Sequence, residues 1–138
     1  MYIANEYGLN ALHNPKINGS KYTEEGLIVI AEDTKVEFFG DTMQLWDGVE
    51  MKTINTPGHS DDSQCLLVDG MLFTGDTLIK DVRTDAKLKG GSVKKLEESM
   101  KVIATLEGSN LRVIPGYGDE FELDKYDLSK MNNNRFNK

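Results

Sequence analysis

Residues 55–77 read NTPGHSDDSQCLLVDGMLFTGDT, and the rest of the chain is arranged around them. Just before this stretch, Met51, Thr53 and Asn55 alternate with Lys52, Ile54 and Thr56, which suits a short strand rich in β-branched residues. Pro57-Gly58 ends that strand, because Pro cannot donate to a ladder and Gly permits a sharp turn. His59 stands at the mouth of the turn. Residues 64–68 are nearly all apolar and too short for a helix, so they read as a buried strand. Asp69-Gly70 is the preferred pair for a two-residue type I′ hairpin turn. Residues 71–74 return as the second strand, and Gly75-Asp76 follows at once. A hairpin that leaves from His59 and returns at Asp76 brings both side chains toward the same end of one sheet.

Imidazole and carboxylate are ligands of first-row transition metals, with zinc the default. Zinc takes four ligands, so one His and one Asp make an incomplete site. A plain reading fits the same residues: a His after Pro-Gly is often only a turn residue, and Gly-Asp is often a cap. Spacing alone leaves both readings open.

The run TPGHSDDSQCLLVDGMLFTGDTL resembles the third metal-binding motif, hairpin and bridging-aspartate motif of the metallo-β-lactamase-fold hydrolases, and within them the glyoxalase II-like group. Three further segments agree, in the right order. Asn14-Pro15-Lys16-Ile17-Asn18-Gly19-Ser20 resembles an upstream Asn-Pro-x-x-Asn-x-Ser segment. Arg83-Thr84-Asp85, Gly91-Ser92 and Glu98-Ser99 resemble the segment that follows the aspartate and opens a helix. Val113-Ile114-Pro115-Gly116-Tyr117-Gly118 resembles the strand and loop that end in Pro-Gly-His-Gly. The resemblance implies an α/β fold: a metallo-β-lactamase-like αββα sandwich, largely its second half, with a mixed sheet and flanking helices.

Two departures limit what the resemblance carries. The family's early His-x-His-x-Asp-His motif is missing, since the only histidines are His13 and His59. The last family ligand, a His, is replaced by Tyr117, and a neutral phenol is a poor zinc ligand at neutral pH. Carried over residue by residue, His59 is a ligand of one metal, and Asp76 is the bridging ligand and the expected catalytic carboxylate. Arg83 and Asp85 stand, by resemblance, near the active-site rim; a structural ion pair or plain solvated charge fits them equally. Asp61 and Asp62 either orient the imidazole or form a solvated acidic pair, the second being preferred.

The 138 residues suit one modest domain. Residues 1–131 are expected to form a single partial domain and 132–138, rich in Asn and Lys, a disordered tail. A net charge of −7 argues against nucleic acid and anionic membranes as partners. One cysteine rules out an internal disulfide framework, and Cys65, inside an apolar run, reads as core. No apolar run reaches transmembrane length and no signal peptide is visible, so a cytoplasmic setting is expected. His13 reads as a surface or cap residue. Residues 27–31 and 36–39 read as strands. Ser92 is a good N-cap for a helix whose stripe is Val93, Leu96, Met100, Ile103 and Leu106, with Gly108 closing it. Residues 111–114 read as the next strand and 121–131 as a short terminal helix.

A half-sandwich leaves an apolar sheet face and an open edge, so oligomerisation is expected. A complementary chain could supply the missing motif, two copies could pack together, or the chain could be a piece of a longer one. With the first half supplied, the expected chemistry is hydrolysis of an ester, thioester or related bond in a small-molecule substrate by a metal-activated water. The alternative is a non-catalytic remnant that serves as a binding or regulatory subunit.

Overall fold

The computed structural model describes residues 2–4, 36–38 and 40–128. Contacts divide the chain into two units, Met1–Gly40 and Asp41–Lys138. In the first, β1 (Tyr2–Ala4) pairs in parallel with β2 (Val36–Phe38), with Tyr2 opposite Val36. His13, residues 14–20, the expected strand at 27–31 and the tail at 132–138 lie outside the described residues.

Among its described residues, the second unit has one six-stranded sheet and the helix that packs on it. Its strands are β3 (Thr42–Trp46), β4 (Val49–Asn55), β5 (Gln64–Val68), β6 (Met71–Gly75), β7 (Arg112–Pro115) and β8 (Phe121–Glu122), adjacent in that order. All neighbours are antiparallel except β6 and β7, which run in parallel because α1 (Val93–Ala104) lies between them in sequence. The mixed sheet with a helix against it is the architecture expected from the sequence. The β5–β6 turn is the one expected at Asp69-Gly70: both residues take positive φ, 45° and 76°, as a type I′ turn requires.

The core follows the strand alternation. Ile54 stands opposite Cys65, Leu67 opposite Leu72, and Leu72 opposite Val113, so these side chains share one face. Met100 and Ile103 of α1 join Cys65, Leu72, Leu78, Leu111, Val113 and Leu123 in the buried cluster. Burying each such side chain is worth about 1.5–3 kcal/mol. The opposite face carries a cross-strand row, Thr53, Leu66, Phe73 and Ile114, of which Phe73 is exposed.

Ser92 caps α1 as expected, its hydroxyl accepting from the Lys95 backbone N–H at 3.3 Å. Leu96, Met100 and Ile103 are buried, whereas Val93 at the outer end of the stripe is exposed. The helix stops at Ala104, four residues before Gly108, through turns closed by carbonyls 102 to 104. The expected helix over 121–131 is corrected over its first part. Among the described residues, Phe121 and Glu122 add an edge strand to β7 and a 3₁₀ turn, Leu123–Lys125, follows, while residues 129–131 lie outside the described residues. The reason is tertiary: the Asp124 carboxylate accepts the backbone N–H groups of Gly108 (2.7 Å) and Asn110 (3.0 Å), holding this segment against the turn that leads into β7.

Candidate metal centre

Strands β4, β6 and β7 run in the same direction, so all three end at one edge of the sheet. Each is followed by one of the loops singled out from the sequence. His59 follows β4, Asp76 follows β6, and Gly116-Tyr117 follows β7. The His59 Nε2 and Asp76 Oδ2 atoms stand 3.4 Å apart.

His59 is aimed by a backbone group. Its Nδ1 lies 2.7 Å from the carbonyl oxygen of Asp85. A carbonyl can only accept, so Nδ1 carries a proton and donates, which leaves Nε2 facing the Asp76 carboxylate and, whenever it carries no proton of its own, presenting its lone pair there. Two acceptors facing each other repel unless a positive centre lies between them, either a proton or a metal ion. Two ligands about 2.0–2.2 Å from one zinc ion at a tetrahedral angle stand roughly 3.4 Å apart. The pair therefore fits two positions of one metal ion. Among the described residues no group of three His, Cys, Asp or Glu side chains converges as a complete site. The His59 side chain is one-quarter exposed and that of Asp76 about half, so the open side of the pair faces outward.

The His59 loop is pinned to α1. Gly58 lies so close to Leu96 that an added Cβ would come within 2.4 Å of the Leu96 Cα. The Gly58 carbonyl accepts the Ser92 N–H at 2.8 Å, and the buried Ser99 hydroxyl donates to the Pro57 carbonyl at 2.7 Å. On the other side, the Thr56 and Thr77 hydroxyls, both fully buried, meet at 3.2 Å, with Cys65 Sγ 3.5 Å from Thr56. This joins the residue after β4 to the residue after Asp76. Thr74 donates to the Leu78 carbonyl at 2.6 Å and Thr84 to the Thr77 carbonyl at 3.0 Å. Four buried threonines thus shape the two loops. The sequence reading passed over them, because residues 21 apart in the chain carry no local pattern.

The third loop closes in on Asp76. Gly116 donates its N–H to the Gly75 carbonyl at 2.9 Å, and a Cβ there would stand 3.2 Å from Asp76 Oδ1. Tyr117, next along, is exposed. Asp61 forms an ion pair with Lys95 at 2.7 Å, while the Asp85 carbonyl occupies Nδ1 of His59. Asp61 is therefore held by α1 through Lys95 and not by the imidazole, a departure from the solvated acidic pair expected for Asp61 and Asp62. Asp85 serves His59 through its backbone, while its side chain accepts the Lys87 N–H at 2.8 Å; Arg83 is exposed. Burial pushes the Cys65 thiol up to about 11, partly offset by hydrogen bonds from Thr56 and Thr77, so Cys65 is a core residue and no nucleophile.

No protein-family model matches the chain. It is 32% identical over 81 residues to a hydroxyacylglutathione hydrolase of Nitrosococcus oceani, covering 56% of this chain and 30% of that protein. It is 32% identical over 79 residues to an atrochrysone carboxyl ACP thioesterase of Aspergillus fumigatus, covering 55% of this chain and 23% of that protein. Among solved structures it superimposes on the BLEG-1 B3 metallo-beta-lactamase with a TM-score of 0.68 at 23% identity, covering 87% of this chain and 58% of that one. It superimposes on TTHA1623, in a di-iron-bound form, with a TM-score of 0.63 at 24% identity, covering 88% of this chain and 59% of that one. The chain thus spans under two-thirds of each. These structural likenesses show the metallo-β-lactamase fold, mostly its second half.

Proposed function

We propose that this chain, which has the second half of a metallo-β-lactamase fold and hydrolases among its sequence relatives, contributes His59 and Asp76 to a metal-dependent hydrolytic site completed by another chain segment or subunit. The observation that carries the reading is the 3.4 Å separation of His59 Nε2 and Asp76 Oδ2, with Nδ1 already committed elsewhere. Zinc suits the donor set, and the missing ligands come from a complementary chain or a second copy of this one. A divalent metal, when bound, supplies an activated water and a polarised carbonyl oxygen.

The chain's own residues do the rest. His59 donates through Nε2 and is kept from rotating by its Nδ1 hydrogen bond. Asp76 adds the negative charge that favours a cation between the two groups. Gly116 leaves open the space beside Asp76 Oδ1. Tyr117, at the position of the family's last His, offers a phenol that can donate a hydrogen bond to a substrate oxygen. A thioester or ester is the first substrate class, supported by the thioesterase and the hydroxyacylglutathione hydrolase among the relatives.

The test is thioester hydrolysis by the assembled protein with and without His59→Ala. Metal-dependent turnover that vanishes in the variant supports the proposal, and turnover untouched by the substitution refutes it. The incomplete ligand set and Tyr117 favour a second reading, a non-catalytic subunit that binds or regulates a complete hydrolase. That reading expects partner binding to survive His59→Ala with no turnover in either form.

A further inference from the structure

Thr84 and Asp85 are adjacent, and each reaches one of the two candidate ligand loops. The Thr84 hydroxyl donates to the carbonyl of Thr77, the residue after Asp76, at 3.0 Å, and Thr84 is buried. The Asp85 carbonyl accepts the Nδ1 proton of His59 at 2.7 Å. Asp85 holds that carbonyl in place with its own side chain, whose Oδ1 accepts the N–H of Lys87 at 2.8 Å, the closed turn that Asp and Asn form with the backbone two residues on. The following residue is clamped as well: Ala86 is buried, and a Cβ on Gly91 would meet the Ala86 oxygen at 2.5 Å.

We propose that Thr84 and Asp85 are positioning residues that set both the tautomer of His59 and its distance from Asp76. This rests on reading His59 and Asp76 as ligands of one metal. An imidazole free in solution favours the proton on Nε2, which would turn the donor atom away from metal binding. The Asp85 carbonyl reverses that preference, and Thr84 fixes the carbonyl relative to the Asp76 loop. Hydrogen-bond partners of ligating histidines are worth about 10–100-fold in metal affinity, which sets the scale expected here.

The experiment reads the tautomer of His59 by long-range ¹⁵N–¹H correlation in the metal-free chain, in alkaline buffer where the ring is neutral. The His59 signals are assigned by their loss in His59→Gln. The expected result is an Nδ1–H ring in the wild type and in Asp85→Asn, which keeps the turn, and a majority Nε2–H ring in Asp85→Ala. Zinc affinity, measured by competition with a chromophoric chelator, is expected to fall about ten-fold or more in Asp85→Ala and in Thr84→Val, and to be retained in Asp85→Asn and Thr84→Ser. An Nε2–H ring in the wild type overturns the proposal whatever zinc does. So does an Asp85→Ala ring that keeps the wild-type tautomer. An Nδ1–H ring that responds to Asp85→Ala, in an assembled protein that takes up no zinc, supports the positioning role and instead refutes the metal reading of the pair.

Discussion

Gly58→Ala tests whether the close approach of the His59 loop to α1 builds the site. An ideal Cβ at Gly58 would lie 2.4 Å from Leu96 Cα, 2.5 Å from its Cβ and 2.5 Å from its N. Carbon atoms rest about 3.5–4.0 Å apart, so the overlap is about 1 Å or more. Two of the three atoms belong to the helix backbone and cannot swing aside. Overpacking of this kind costs about 1–3 kcal/mol. The φ of +148° is also a conformation that L side chains rarely adopt, adding about 1–3 kcal/mol. Together these suggest about 4 kcal/mol, a large part of the about 5–15 kcal/mol that holds a domain folded. The natural relief is for the loop to lift off the helix, which breaks the Ser92–Gly58 and Ser99–Pro57 hydrogen bonds and displaces His59. Gly70→Ala is the control: φ there is +76° and nothing lies within 4 Å of the added Cβ, so only about 1–2 kcal/mol of backbone strain is expected. Urea unfolding of both variants gives the comparison. A Gly58→Ala variant within about 1 kcal/mol of Gly70→Ala would refute the steric argument.

Thr77→Val keeps the shape of a fully buried side chain but removes its hydroxyl contact with Thr56. It should cost about 1–2 kcal/mol in urea unfolding, and an unchanged midpoint would mean that the threonine pair does not tie the loops together. The Cys65 thiol has its folded pKa raised to about 11 by burial. Its contribution is therefore complete below the unfolded thiol's range and fades as pH rises through about 9 to 11, by a few kcal/mol at most. Comparing wild type with Cys65→Ala over that range checks the sign: the wild type should lose stability more steeply. Modification by a thiol reagent in native buffer should be slow and should track unfolding.

The fold was legible wherever local chemistry and tertiary structure agree. Asp69-Gly70 between two apolar runs named the hairpin, and Ser92 ahead of a helical stripe named the start of α1. Pro57-Gly58 and Pro115-Gly116 ended the strands whose loops now meet at one sheet edge. Residues 121–125 misled because Phe121 and Leu123 belong to an apolar set with helix-like spacing. Pairing with β7 and the grip of Asp124 on two distant N–H groups outweigh that weak preference. Within the site, His59 and Asp76 were visible as side chains of the right chemistry. The Asp85 carbonyl that aims His59 was not, because a backbone acceptor leaves no trace in residue identity. The threonine cluster was hidden for a different reason: Thr56, Thr74, Thr77 and Thr84 gain meaning only when the strand ends are brought together.

The central claim is that His59 and Asp76 hold the same metal ion. Its most direct test is elemental mass spectrometry on wild type, His59→Ala and Asp76→Asn after equilibrium dialysis against buffered zinc. The account predicts about one zinc per wild-type chain, or per completed site, and loss of that zinc in both variants. Zinc retained equally by all three forms, or lost in only one of them, would contradict it.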